Sequence, residues 1–142
     1  MQQIEIVQIF DMPVERLFTI LSEHENLEKL FYPIKVKRLS DGQDQRNGVG
    51  SARQLQLLVA PPFVETVTQF VENELIEYKI TKGSPLKNHL GIMRFEDMGG
   101  QSKLTYTIVF ESKIPGAGAV IKFGLENAMR KGLRDLNHRQ TV

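Results

Sequence analysis

The sequence predicts an α+β fold in which one curved antiparallel sheet of six to seven strands is gripped by a long helix near the C-terminal end of the chain. Three observations carry this expectation. The stretch from Gly118 to Arg139 repeats apolar residues at helical spacing, most of the preceding chain alternates with a period of two, and two short helical patterns separate the first alternating run from the others.

The first run places Ile4, Ile6, Gln8 and Phe10 on one face and Glu5, Val7 and Ile9 on the other, as a strand with one well-buried side does. It stops at Asp11-Met-Pro13. Asp11 or a neighbour is suited to cap the helix that follows, and Pro13 suits its first turn because proline has no N–H to lose there. Val14, Leu17, Phe18 and Leu21 then fall at i, i+3, i+4 and i+7. A second short helix is expected over Glu23 to Leu30, ending before Pro33, because a residue preceding proline is pushed out of the helical region.

Ile34 to Leu39 alternates again, and the polar run from Ser40 to Gly48 is dense in turn formers, which reads as a hairpin loop. From Gly50 to Phe110 four more strand-like runs are expected, separated by Ala60-Pro61-Pro62, Glu72-Asn73-Glu74, Lys82-Gly83-Ser84-Pro85 and Met98-Gly99-Gly100. Leu104, Tyr106, Ile108 and Phe110 give the cleanest one-face pattern among them. Strands joined by such short connections make an antiparallel meander. The terminal helix would span about 30 Å at 1.5 Å per residue, with Ile121, Leu125, Ala128, Met129, Gly132, Leu133 and Leu136 on one side.

A chain of 142 residues with 41% hydrophobic and 25% charged residues has the usage of one globular domain, and residues 1–142 are taken as that domain. With 18 basic and 17 acidic side chains it has no broad positive field, so nucleic acid is not an expected partner. The absence of cysteine removes disulfides and thiolate chemistry and fits a reducing compartment. No transmembrane segment and no secretion signal is expected, and the chain reads as cytoplasmic, as a monomer or homodimer.

Gly124, Ala128 and Gly132 recur at four-residue spacing, so a strip of the terminal helix has almost no side-chain volume. Either the helix backbone sits tight on the sheet along this strip, or the strip borders open space. Two glycines inside a helix cost roughly 1 kcal/mol each relative to alanine, which calls for one reason or the other.

In this order of elements the chain resembles the START-like, or SRPBCC, helix-grip superfamily, and within it the bacterial branch labelled polyketide cyclase/dehydrase. Asp11-Met-Pro-Val-Glu-Arg-Leu-Phe18 is similar to that family's strand-to-helix junction, and Asn47-Gly-Val-Gly-Ser-Ala-Arg53 to its glycine hairpin followed by an arginine. Asn88-His89 is similar to its polar pair on a middle strand, and Leu104-Thr-Tyr106 to its late strand, where tryptophan is commoner. The resemblance implies a deep, largely apolar cavity between the terminal helix and the sheet. It implies no particular reaction, because one fold hosts many functions.

Residues able to carry chemistry are few. His89 shares strand parity with Gly91, Met93 and Phe95, and is a titratable group in the cavity if that face is inward, or a structural histidine if Leu90 and Ile92 face in. Arg53 shares parity with Leu55 and Leu57, and Glu65 with Val67; buried, the two would need each other or a ligand carboxylate. His89, Arg53 and Glu65 are therefore the candidate catalytic residues. Tyr78 and Tyr106 are expected in the core with hydroxyls seeking a partner. Met93, Phe95, Phe110, Leu125 and Met129 would line a pocket, Gly124 and Ala128 would border it, and Asn127 would reach a ligand or be solvated.

Metal and cofactor sites are not expected: the histidines are His24, His89 and His138, and His24 with Glu28 is only a two-ligand fragment. Gly48-Val-Gly50-Ser51 lies at a hairpin and not at the strand-to-helix turn of a nucleophile elbow. The leading expectation is a binding domain for a small apolar or amphipathic molecule, a lipid or polyketide-like compound. Its competitors are a cyclase or dehydratase acting on a carbonyl substrate in the same cavity, and a protein-interaction module.

Overall fold

A computed structural model describes residues 1–84 and 86–142. Strand β1 (Gln2–Phe10) is followed by helices α1 (Val14–Ser22) and α2 (Asn26–Leu30). Six strands come next: β2 (Ile34–Ser40), β3 (Ala52–Leu57), β4 (Phe63–Val71), β5 (Leu75–Lys82), β6 (Leu86–Met98) and β7 (Gln101–Ser112). Helix α3 (Gly118–Arg139) closes the order. The four breaks in the stretch from Gly50 to Phe110 thus divide it into five strands, one more than the sequence reading, and the sheet has seven. The last residue of the third break, Pro85, lies outside the described residues.

The sheet runs β1-β7-β6-β5-β4-β3-β2 and is antiparallel throughout. Consecutive strands pair as a meander from β2 to β7, and β7 then finds β1, with Ile4 opposite Ile108 and Ile6 opposite Tyr106. The two short helices carry the chain from one edge of the sheet to the other. Register shifts interrupt the β2–β3, β4–β5 and β6–β7 ladders, and such bulges bend and twist a sheet.

The periodicities place the core. Ile4, Ile6 and Phe10 are buried on β1, and Leu104, Tyr106, Ile108 and Phe110 on β7. Val14, Leu17, Phe18 and Leu21 form the buried face of α1. Phe18 meets Phe70 and Phe95 edge-on, at centroid distances of 5.2 and 5.0 Å, which is a favoured aromatic geometry.

Two boundaries differ from expectation. Asp11 does not cap α1; its carboxylate accepts from Gln101 Nε2 at 2.6 Å, and Pro13 occupies the cap position with no side-chain hydrogen bond. The second helix begins at Asn26, not Glu23. Glu23 and Glu25 are drawn out to Arg38, at 2.9 and 3.0 Å, and His24 is drawn into the interior.

Candidate functional site

The inward face of the sheet carries a belt of polar side chains across β3 to β7. Arg53 on β3 stands opposite Glu65 on β4 in the ladder. Its Nε and Nη2 both donate to Glu65 Oε1, at 3.0 and 2.8 Å, and both residues are buried. The guanidinium lies over the ring of Tyr78 on β5, 4.9 Å from the centroid, within the range of a cation–π contact. Tyr78 in turn hydrogen-bonds Tyr106 two strands away. That reach depends on Gly91, which pairs with Tyr78 on the intervening strand and over which the ring lies; a Cβ there would overlap it.

His89 points into this belt, with a side chain only 5% exposed. Its Nδ1 accepts the Ile80 backbone N–H at 3.1 Å, which fixes the neutral tautomer with the proton on Nε2. Nε2 stands 3.9 Å from Glu65 Oε2, too far for a direct hydrogen bond. Burial, the largest effect, lowers the His89 pKa against the opposing pull of Glu65, so the ring is neutral near pH 7. Burial likewise raises both tyrosines, Tyr106 to about 12, and holds both hydroxyls protonated.

Four groups in the belt are uncommitted among the described residues, the His89 Nε2–H donor among them. Arg53 Nη1 and Glu65 Oε2 make no hydrogen bond, and one of the two tyrosine protons has no acceptor, since a pair of hydroxyls uses only one donor between them. The belt thus offers donors and one carboxylate oxygen. His89, its lone pair already taken, is a donor and not a base.

The other residues singled out in the sequence divide. Met93, Phe95, Phe110 and Met129 are buried in the core, but Phe95 packs at the α1 end against Phe18. Leu125 is half-buried against the core. Gly124, Asn127 and Ala128 are exposed, not on the covered face. The reason is the rotation of α3: Met129, Gly132, Leu133 and Leu136 face inward, and Ile121 and Leu125 continue that face while positions 124 and 128 fall on its flank. The small-residue strip therefore splits. A Cβ on Gly132 would collide with the Leu30 carbonyl and come within 2.8 Å of the Phe31 ring, whereas one on Gly124 would meet nothing within 4 Å.

A second buried polar pair escapes the sequence reading. Ser51 and His24 are both buried, with Ser51 Oγ 3.1 Å from His24 Nε2. The hydroxyl gives its only proton to the Gly48 carbonyl at 2.7 Å, so His24 Nε2 must donate to Ser51 and Nδ1 is left with no partner. This polarity is the reverse of a nucleophile activated by a base. The His24 pKa is lowered to about 3, by burial first and then by Arg53 and Arg38. Glu28 is spent on the Val36 N–H and Lys35, at 3.0 and 3.7 Å. Among the described residues no group of three His, Cys, Asp or Glu side chains is placed to hold a metal ion.

Residues 1–140 match the family described as polyketide cyclase / dehydrase and lipid transport. The chain belongs to this family. No curated protein matches its sequence. Among solved structures, a START superfamily protein from Mycobacterium smegmatis is 18% identical with a TM-score of 0.82, covering 98% of this chain and 99% of that one. The Zhui aromatase/cyclase from Streptomyces sp. R1128 is 16% identical with a TM-score of 0.78, over 99% and 96% of the two chains. Norcoclaurine synthase from Thalictrum flavum is 12% identical with a TM-score of 0.72, over 95% and 92%. At these identities the likeness is one of fold: the polyketide cyclase / dehydrase chain has the START-like helix-grip architecture. No helix among the described residues is long and apolar enough to cross a membrane.

Proposed function

We propose that the chain binds a small amphipathic molecule between α3 and the sheet, with the Arg53–Glu65–His89–Tyr78–Tyr106 belt holding its oxygen-bearing end. One observation carries the reading: Arg53 and Glu65, buried as residues, keep Nη1 and Oε2 free of protein partners beside a spare tyrosine proton and the His89 Nε2–H. Among the described residues His24 Nδ1 is the one fully buried side-chain polar atom without a partner, so the free atoms of the belt are not sealed off and can meet a ligand's polar atoms. A ligand hydroxyl fits the gap between His89 Nε2–H and Glu65 Oε2, accepting from one and donating to the other. A carbonyl suits the Arg53 and tyrosine donors.

Two surface clefts, of about 330 and 420 Å³, lie away from the belt. Entry by displacement of the first half of α3 fits this arrangement, because its side chains there are half-buried or exposed. The family's description, which names both lipid transport and cyclisation, suits such a guest. The absence of cysteine suits a cytoplasmic setting.

The test is binding of fatty acids and of phenolic polyketide-like compounds, read by thermal shift and calorimetry, in the wild type and in Tyr106→Phe and Arg53→Met. Oxygen-bearing aromatics are expected to bind and to lose at least several-fold in affinity in the variants. Absence of binding across both classes, or affinity indifferent to both substitutions, overturns the reading.

A cyclase or dehydratase is the second reading, favoured by the same donors, which would stabilise an enolate oxygen brought among them. Glu65 Oε2 is then the base, because His89 has no free lone pair. Glu65→Gln is expected to abolish turnover of a carbonyl substrate while the substrate still binds.

A further inference from the structure

The end of the sheet where α3 begins has a surface chemistry of its own. Ladder partners Ile34–Leu57, Val64–Lys82, Leu86–Ser112 and Gln2–Phe110 bring the α2–β2, β3–β4, β5–β6 and β7–α3 connections to that end. Among the described residues, the large apolar side chains at least 70% exposed are Met1, Tyr32, Leu58, Val59, Val120 and Phe123. All belong to this end: Tyr32, Leu58 and Val59 lie in its loops, Met1 precedes Gln2, and Val120 and Phe123 lie on the first two turns of α3. Val59 is 99% exposed. Leu58 holds a positive φ of 53°, a conformation costly for a bulky residue and a mark of functional constraint where it persists.

Charge is distributed in the same sense. Lys35, Lys82, Lys87, Lys113 and Lys122 surround these tips, against Glu28 and Glu111. The opposite end carries Asp41, Asp44, Glu72, Glu74, Glu96 and Asp97 in its loops and strand ends, against Arg38, Arg46 and Lys103. A chain with a net charge of only +1 is therefore basic where it is most apolar and acidic at the far end.

We propose that this end docks on an anionic lipid bilayer. Apolar tips standing among lysines match an interface in which side chains enter the boundary of head groups and acyl chains while the ammonium groups meet lipid phosphates. A second copy of this chain fits worse, because a two-fold contact through the patch would bring two lysine-rich surfaces of the same sign together. The tips also come from several separate connections, and of the six only Met1 lines the cleft of about 330 Å³ at this end, so they do not share one groove shaped for a peptide. This function is independent of what the belt binds, and gives the molecule a surface from which an apolar guest can be taken.

Co-sedimentation with vesicles of phosphatidylcholine alone, and of phosphatidylcholine mixed with phosphatidylglycerol, tests the proposal. The protein is expected to partition to the mixed vesicles only, and less so as salt is added. Lys82→Glu with Lys113→Glu should weaken partitioning at least about five-fold for each charge neutralised. Leu58→Glu with Val59→Glu should abolish it. Both pairs are on the surface, and unchanged thermal unfolding and ligand binding in solution would separate loss of docking from loss of fold or of the belt's function. Failure to bind mixed vesicles, equal binding to both vesicle types, or partitioning unchanged in the variants overturns the proposal. So does concentration-dependent dimerisation without vesicle binding, which would assign the patch to a second copy.

Discussion

Arg53 and Glu65 stabilise one another only as a pair. Each is buried, so removing one leaves the other charged, desolvated and without a counter-charge. Glu65→Leu alone is therefore expected to lower unfolding free energy by about 3–5 kcal/mol, while Arg53→Met with Glu65→Leu should be near neutral. Urea unfolding of the single and double variants decides this; equal losses would mean that the pair is not the unit. His24 makes a second prediction at this scale. Its pKa is 6.5 unfolded and about 3 folded, so below pH 6.5 the unfolded chain binds a proton that the fold refuses. Stability should fall as pH drops through that window, by up to about 1.4 kcal/mol per pH unit, and His89, also lowered, acts in the same sense. Urea midpoints at pH 7 and pH 5 should fall further in the wild type than in His24→Gln; parallel declines would count against His24 as the acceptor. The sequence exposes these residues unequally. Arg53 and Glu65 were readable from parity on successive strands. The orientation of His89 was not, because apolar residues flank it on both parities, and the His24–Ser51 pair joins positions 27 apart that share no periodic pattern.

At the scale of the element, α3 is held by one half. Met129, Gly132, Leu133 and Leu136 are buried, while Gly118–Ala128 contributes no fully buried side chain. Its two interior glycines therefore answer to different physics. Gly132→Ala would drive a methyl group into the Leu30 carbonyl and the Phe31 ring, at a cost of about 1–3 kcal/mol for overpacking. Gly124→Ala would meet nothing within 4 Å and should stabilise the fold by about 0.5–1 kcal/mol through helix propensity alone. Thermal or urea unfolding of both variants reads the opposite signs; two losses would place Gly124 in contact, and two gains would show α2 yielding. The bounds of α3 were legible because 22 residues give six turns of pattern. Its rotation was less so: a strip defined only by small side chains has no preferred partner until the contact at Gly132 fixes which flank faces in. Helix α2 was overextended for a related reason, since a short apolar pattern cannot reveal that Glu23 and Glu25 serve Arg38 instead.

The whole molecule has a tied end and a loose one. At the tied end Arg38 bonds Glu23, Glu25, Asp41, Asn47 and the Arg46 carbonyl, fastening the α1–α2 junction to the β2–β3 loop. Its bond to Glu25 lowers that carboxyl to about 2. The last turns of α3 are fastened nearby: Gln8 Nε2 donates to the Leu133 carbonyl at 3.1 Å, Asn137 Oδ1 accepts the Asp11 N–H at 2.8 Å, and Arg16 donates to the Gln140 carbonyl. The other end has α3 resting on half-buried Ile121 and Leu125, beneath a glycine at position 116 with φ of 80°. Local opening follows low burial and few fixed contacts, so backbone amides of Gly118–Ala128 are expected to exchange with deuterium well before those of Met129–Leu136. A ligand that occupies the belt should slow the first group and leave the second unchanged, because it adds contacts only where the helix lacks them. Mass-resolved hydrogen exchange measures both halves in one experiment. Uniform protection along the helix without ligand would mean that α3 is a fixed lid and that access to the belt runs elsewhere; protection that rises equally in both halves would mean that the guest stabilises the fold as a whole and does not act through the loose end.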